Sequence, residues 1–217
     1  MEKWGAAMMG YSWVNKKIVS LFFLLFVLLS AYYFFTPAVN SGLTRFDLFK
    51  FEGIVASDDI VKVKDAYRYY ISVKPDRERA LVLLEKGASM GDAHYQELLA
   101  NEMLTEMRDP KGVYWLEKAA LSGSATAQVW LASLYEKGEF VENDYAKARA
   151  YYNSAADQAH IEAVLNLARM YVKGLGGEQD SGKALQLLDK ARSLTGSNKL
   201  YEDRITALEK AARKSKK

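Results

Sequence analysis

Apolar residues in the second half of the chain recur at the spacing of an α-helix. They stand at i, i+3 or i+4, and i+7, so that each segment carries one apolar stripe. The stripe consists of Ala148, Tyr151, Tyr152 and Ala155 in one segment, and of Ala127, Leu131, Leu134 and Tyr135 in the segment before it. The pattern predicts amphipathic helices in consecutive pairs, in which each helix buries one face against its neighbour.

Residues that favour helix ends occur at the limits of these segments. Gly138 and Gly174 follow the first helix of a pair, where a left-handed residue ends a helix at little cost. Asp144 and Asp180 precede the second helix, where a carboxylate accepts hydrogen bonds from free backbone N–H groups. The sequence therefore predicts two helix pairs with a glycine-containing turn inside each pair.

The same pattern repeats along the chain. One column of small residues has spacings of 32, 36 and 36 residues and consists of Ala80, Gly112, Ala148 and Ala184. A neighbouring column of large residues consists of Leu84, Leu116, Tyr152 and Leu188. No helix of such an array buries its stripe alone, so the pairs must stack. We therefore expect an all-α fold, a right-handed α-solenoid of about four helix-pair repeats.

An uncharged apolar run at residues 18–35 predicts a single N-terminal transmembrane helix. Eighteen residues of helix rise about 27 Å, close to the hydrocarbon thickness of a bilayer. Lys16 and Lys17 precede the run and no positive charge follows it before Arg45, which places the N-terminus in the cytoplasm and the rest outside. The alternative is a cleaved signal peptide that ends near Ala38, although the length of the run favours an uncleaved anchor.

These observations divide the chain into five segments. A cytoplasmic N-terminus and the membrane anchor precede a linker, the repeats, and a capping helix with a basic tail. Their limits are 1–17, 18–35, 36–60, 61–197 and 198–217. The C-terminal capping helix is predicted from Tyr201, Ile205 and Leu208, which share one helix face.

The last two copies resemble the Sel1-like repeat, a relative of the tetratricopeptide repeat. The matching residues of the third copy are Tyr135, Gly138, Val141, Asp144, Lys147, Ala148, Tyr151, Tyr152, Ala155 and Ala156. Those of the fourth are Tyr171, Gly174, Gly176, Asp180, Lys183, Ala184 and Ala191. The second copy matches through residues 111–123, and the first matches least. The resemblance implies a membrane-anchored bacterial scaffold without catalytic activity.

Composition excludes several classes of function. The chain holds 30 Lys and Arg against 27 Asp and Glu, a balance that argues against nucleic-acid binding. It has no cysteine, which excludes disulfides, thiolate metal sites and a cysteine nucleophile. Its two histidines, His94 and His160, fall at different points of the repeat and do not form a duplicated site. No catalytic, cofactor-binding or metal-binding residue is predicted.

The tetratricopeptide register places a set of non-core residues on the concave face of the solenoid. They are Glu97, Asn101, Trp130, Ser133, Glu136, Arg169 and Lys173. These residues differ between copies while the core repeats, as expected for a surface that recognises one partner. They also fit ordinary solvated helix faces. For Trp130 two placements stay open, against a neighbouring helix or as an exposed anchor.

The leading functional hypothesis is a protein–protein interaction scaffold or adaptor in the bacterial periplasm, held in the inner membrane by residues 18–35 with its N-terminus in the cytoplasm. Its expected partner is another envelope or secreted protein. Members of the resembling family also include immunity proteins that neutralise secreted toxins, and this is the first alternative. The second, from another class, is an envelope hydrolase or a glycan-binding enzyme accessory. The sequence leaves the oligomeric state open.

Overall fold

The computed structural model describes residues 45–196 and 198–215, and every regular element in these ranges is helical. The ten helices are α1 (Arg45–Val55), α2 (Ile60–Arg68), α3 (Arg77–Ser89), α4 (Ala93–Asn101), α5 (Gly112–Leu121), α6 (Ala125–Lys137), α7 (Tyr145–Asp157), α8 (Ile161–Lys173), α9 (Ser181–Thr195) and α10 (Lys199–Ser215). A π-helical turn follows α2 at Tyr69–Val73, and another follows α4 at Glu102–Glu106.

The predicted membrane segment at residues 18–35 lies outside the described residues. Among the helices of residues 45–196 and 198–215, none is both long and apolar enough to cross a bilayer. The segment that was predicted as a linker, 36–60, contains helix α1 in its described part.

The chain divides between Lys62 and Val63 into two compact units. In the second unit, each helix from α3 to α9 packs against the next helix along the chain, and α10 packs against both α9 and α8. The first helices of successive pairs are α2, α4, α6 and α8, and the second helices are α3, α5, α7 and α9. We refer to these pairs as copies one to four. This arrangement confirms the prediction of an all-α solenoid of helix pairs.

Helix ends in copies three and four follow the sequence signals. Gly138 and Gly174 end α6 and α8 in the left-handed conformation, with φ of 68° and 67°. The carboxylates of Asp144 and Asp180 each accept a hydrogen bond of 2.9 Å from a backbone N–H in the first turn of the next helix. Both pairs of predictions are confirmed, and each carboxylate stabilises its helix by roughly 1 kcal/mol.

Copy two closes its pair in a different way. Its connection is four residues shorter than those of copies three and four, so α4 and α5 approach closely near Gly112. A Cβ atom at Gly112 would lie 2.6 Å from Leu104 Cγ and 3.0 Å from the Ala100 carbonyl oxygen. The short connection thus explains why the column of small residues holds a glycine here and alanine in the other copies.

The core of the solenoid includes columns that keep the same residue type in copies two, three and four. In the first helices these columns are Leu99, Leu131 and Leu167, and next to them Ala100, Ala132 and Ala168. All six side chains are buried. A small residue beside a large one lets adjacent helices approach while the leucine fills the space between pairs.

Buried glutamines link successive copies. The side-chain amides of Gln96 and Gln128 donate to the carbonyl oxygens of Ala88 and Ala120, at 3.2 and 3.1 Å. Each acceptor lies in the last turn of the preceding second helix, where carbonyl groups lack an intrahelical partner. Valine takes the glutamine position in copy four, and there Lys190 Nζ donates to the Ala156 carbonyl oxygen instead, at 2.7 Å.

Candidate partner-binding face

The first helices of copies two to four present a common outward stripe, which we call the first-helix face. Its side chains are exposed or half-buried and fall in three columns of the repeat. The columns are His94, Thr126 and Glu162; Leu98, Trp130 and Asn166; and Asn101, Ser133 and Arg169. Lys137 and Lys173 extend the stripe at the ends of α6 and α8. Each column therefore changes residue type from copy to copy.

The predicted site residues occupy this face unevenly. Asn101, Ser133 and Arg169 share one column, while Glu97 belongs to the column of Leu165, which is buried. The cause is the shorter second copy, since an offset of 32 residues rather than 36 relates α4 to α6. The column of Trp130, with Leu98 and Asn166, and the column of Thr126 and Glu162 supply further members of the face that the prediction did not include.

Trp130 lies in the middle of the face on α6. Its side chain is half-buried and packs against the hydrophobic core, so one part of the indole supports the fold. The remaining part is open to solvent, where an aromatic ring offers a large contact area to a partner. The two placements that the sequence left open are thus combined in one side chain.

Glu136 and Arg169 bind each other across adjacent copies. Arg169 Nη2 donates to Glu136 Oε2 at 2.7 Å, and both side chains are about three-quarters buried, with exposed fractions of 25% and 20%. The hydroxyl of Tyr152 donates to the same carboxylate oxygen at 3.4 Å. Burial, and next the Glu136 carboxylate, raise the pKa of Tyr152 to about 12. These contacts join α6, α7 and α8, so Glu136 and Arg169 contribute to the packing of the solenoid.

A second ion pair joins the face to the last helix. Arg204 of α10 donates to both carboxylate oxygens of Glu162 on α8, at 2.7 and 2.9 Å. The sequence prediction of the site did not include Glu162. Within the described ranges, Lys137 and Lys173 form no such pair, and they remain the exposed charges of the face.

The histidines do not assemble a metal site in the described part of the chain. No group of three potential metal ligands occurs among residues 45–196 and 198–215. His94 is exposed on α4, and His160 occupies the N-cap position of α8, where its Nδ1 is buried without a hydrogen-bond partner in those ranges. The face as a whole offers a polar, aromatic-centred surface for contact with another molecule.

Comparison with known sequences finds one repeat family in four segments. The Sel1 repeat matches residues 64–92, 109–124, 125–160 and 161–195, which together make up just over half of the chain. The segments contain α3, α5 and the two complete helix pairs α6–α7 and α8–α9.

Individual relatives are similar over part of their length. The Sel1-repeat-containing protein YjcO of Escherichia coli strain K12 is 34% identical over 106 residues, which is 49% of this chain and 46% of YjcO. This chain thus spans less than half of that relative's length.

Two solved structures share the fold. A Sel1 repeat protein from Oxalobacter formigenes is 28% identical with a TM-score of 0.53, covering 59% of this chain and 98% of that one. The protective antigen c5321 of uropathogenic Escherichia coli is 25% identical with a TM-score of 0.60, covering 81% of this chain and 38% of that one.

Proposed function

Because the chain belongs to the Sel1 repeat family, whose members generally mediate protein–protein interactions, we propose that it is a non-catalytic scaffold that binds another protein through the first-helix face. One observation carries the proposal. Two columns of the core keep leucine and alanine in copies two to four, whereas each of the three columns of the first-helix face changes.

The contrast between constant core and variable face argues for recognition. Packing alone explains why the positions of Leu99, Leu131 and Leu167 are identical, since all three fill the same space between helices. A face that only contacts water needs no particular side chains, but this one places a half-buried Trp130 between polar and charged neighbours. Aromatic anchors surrounded by a polar rim are typical of protein interfaces.

Crosslinking in cells, followed by detergent extraction, affinity capture and mass spectrometry, tests the proposal. The informative variant is N101R/K173E, because both side chains are exposed and their loss leaves the core intact. Glu85→Arg on the exposed side of second helix α3 is the matched control. We expect one protein to be captured in comparable amount by the wild-type chain and by the control, and to be lost with the double variant.

Equal capture by all three proteins would contradict the first-helix face as the binding surface. Capture of no protein at all would contradict the scaffold function. The identity of the partner also separates the two binding hypotheses, since a secreted toxin would indicate an immunity protein and a resident envelope protein would indicate an adaptor.

The apolar run at residues 18–35 supports a further part of the proposal, a single-pass inner-membrane anchor with the solenoid in the periplasm of a bacterium. Reporter enzymes fused after residue 17 and after residue 60 test the topology. A reporter that folds only outside the cytoplasm should be active in the second fusion alone. Activity in neither fusion, or release of the solenoid from membranes by salt, would overturn the anchor.

A further inference from the structure

A cavity of about 320 Å³ lies between the second helices α7 and α9, and α8 contributes to its wall. Leu167, Tyr171 and Leu187 form its apolar part, while Lys183 and Lys190 bring positive charge. The amides of Asn153 and Gln186 complete it, and the described residues that line it include no carboxylate. We call it the α7–α9 cavity. It lies outside the first-helix face and does not depend on it.

The corresponding place in copy three is built differently. There Tyr151 stands where copy four has Leu187, and its ring stacks on Tyr135 with 6.0 Å between the ring centroids and 7° between their planes. Leucine is smaller than tyrosine, so the exchange leaves space beside Tyr171 that copy three fills with a ring.

The charge is also more positive at the cavity than at the corresponding place one repeat earlier. There Glu117 stands where the cavity has Asn153, and Ser154 where the cavity has Lys190, while Lys147 corresponds to Lys183. Glu117 accepts a hydrogen bond from the hydroxyl of Tyr135 at 3.4 Å, so a carboxylate faces this place in copy three. Three exchanges at equivalent positions therefore produce an open, cationic cavity here that is not formed one repeat earlier.

Both lysines keep donors available for a ligand. Lys190 Nζ uses one hydrogen bond, to the Ala156 carbonyl oxygen, and an ammonium group has three donors. Lys183 Nζ lies 3.8 Å from Asp180 Oδ2, but that pair is largely exposed and water screens it. The guanidinium of Arg149 lies 3.7 Å from the ring centroid of Tyr171 and adds a further positive charge at this edge.

We propose that the α7–α9 cavity binds a carboxylate side chain in an acidic segment of a protein partner. The carboxylate lies between Lys183 and Lys190, where charge-assisted hydrogen bonds are strong, and the methylene groups of the side chain pack against Leu167 and Leu187. An anion without an apolar part would leave those two leucines uncovered.

Fluorescence anisotropy with the full-length chain in neutral detergent tests this site. The probe is a labelled peptide of alternating glutamate and leucine, and its glutamine–leucine counterpart is the control peptide. We expect the glutamate peptide to bind and the control to bind at least about tenfold more weakly, because the charge-assisted bonds are lost. K183Q/K190Q should weaken the glutamate peptide by about tenfold as well.

Lys147→Gln is the matched control, since Lys147 is the copy-three equivalent of Lys183. It is 59% exposed against 61% for Lys183, and its Nζ lies 3.6 Å from the carboxylate of Asp144. Lys147→Gln should leave peptide binding unchanged. An equal loss in this variant would show that general surface charge, and not the cavity, attracts the peptide.

Two more variants test the space itself. Leu187→Tyr gives copy four the ring that fills copy three and should abolish binding. Gln186→Glu adds a carboxylate to the wall without added bulk and should also abolish binding. It serves as the test variant if a melting curve shows that Leu187→Tyr unfolds the chain. Retained binding in a folded variant would overturn the proposal. Displacement of the peptide by an equal concentration of inorganic phosphate would also overturn it, because it would indicate a site for small anions.

Discussion

The ring of Tyr95 occupies the space that a side chain at position 87 would need. A Cβ atom on Gly87 would lie 2.7 Å from Tyr95 Cγ and 3.0 Å from Cε1, well inside van der Waals contact. The equivalent contacts between copies two and three and between copies three and four pair alanine with alanine, at Ala119 with Ala127 and at Ala155 with Ala163. Copies one and two are therefore joined by a glycine and a ring, where the later copies are joined by two alanines.

This relationship predicts a strong coupling between the two positions. Gly87→Ala should lower the free energy of unfolding by about 1–3 kcal/mol, because the added methyl group overpacks the contact. With Tyr95 replaced by alanine, the same change should raise it by roughly 0.5–1 kcal/mol, since the clash is gone and alanine favours the helix. Urea unfolding of the four proteins in this cycle gives both values. Equal effects in the two backgrounds would refute the contact.

Gln128→Val should lower the free energy of unfolding by about 1–3 kcal/mol, because it removes two hydrogen bonds, one donated to the Ala120 carbonyl oxygen and one accepted from the Gln158 amide. In copy four, where valine replaces the glutamine, Lys190 donates to the equivalent carbonyl oxygen, and Lys190 stands at the position that corresponds to Ser154. Q128V/S154K should therefore recover part of the loss, as measured by urea unfolding. Ser154→Lys alone is the control, and a rescue that equals its effect in the wild-type background would argue against the proposed donor exchange.

His160→Ser should stabilise the solenoid by roughly 0.5–2 kcal/mol. The imidazole at this N-cap makes no hydrogen bond to the first turn of α8, whereas Ser124 at the same position of α6 accepts one from Ala127 N at 3.1 Å. Thermal denaturation measures the change, and Ser124→Ala should shift the midpoint downward by a similar free energy. A lower midpoint for His160→Ser would mean that the imidazole contributes more by packing than a serine does by capping.

Alkaline pH should destabilise the solenoid through Tyr152. Its pKa rises from 10.0 to about 12 in the folded chain, so the unfolded chain releases the phenolic proton first and stability falls between about pH 10 and 12. The full loss from this one group is roughly 3 kcal/mol.

Tyr152→Phe isolates that contribution. Urea unfolding at several pH values should show a shallower alkaline decline for the variant, at the cost of the hydrogen bond to Glu136. Parallel declines in both proteins would show that other groups, such as Tyr95 with a pKa of about 12, account for the effect.

Much of the solenoid could be predicted from the sequence because its signals are local. Gly138 and Asp144 mark helix ends by their own backbone and side-chain chemistry, and the apolar stripes follow from helix geometry. The contact of Gly87 with Tyr95 and the hydrogen bond of Gln128 to Ala120 depend on how two copies meet, which periodicity does not encode.

The candidate site was predicted less completely for a related reason. The shorter connection in copy two shifts the register of α4, and a fixed spacing of 36 residues then pairs Ser133 with Glu97 in place of Asn101. The ion pair between Glu136 and Arg169 was also beyond prediction, since both residues were chosen for being polar and outside the core. Their mutual contact needs the distance between first helices, which only the packed structure provides.

The contact of Gly87 with Tyr95 has a consequence for how the array can change its length. Copies three and four share one joint, with matching alanines and leucines, so duplication of the segment 125–160 would create a new copy whose two neighbours already fit it. Duplication of copy two would instead place a second Tyr95 against Ala119, whose methyl group occupies the space that Gly87 leaves for the ring. Packing between copies therefore permits the array to lengthen by duplication in its C-terminal half and opposes duplication of copy two.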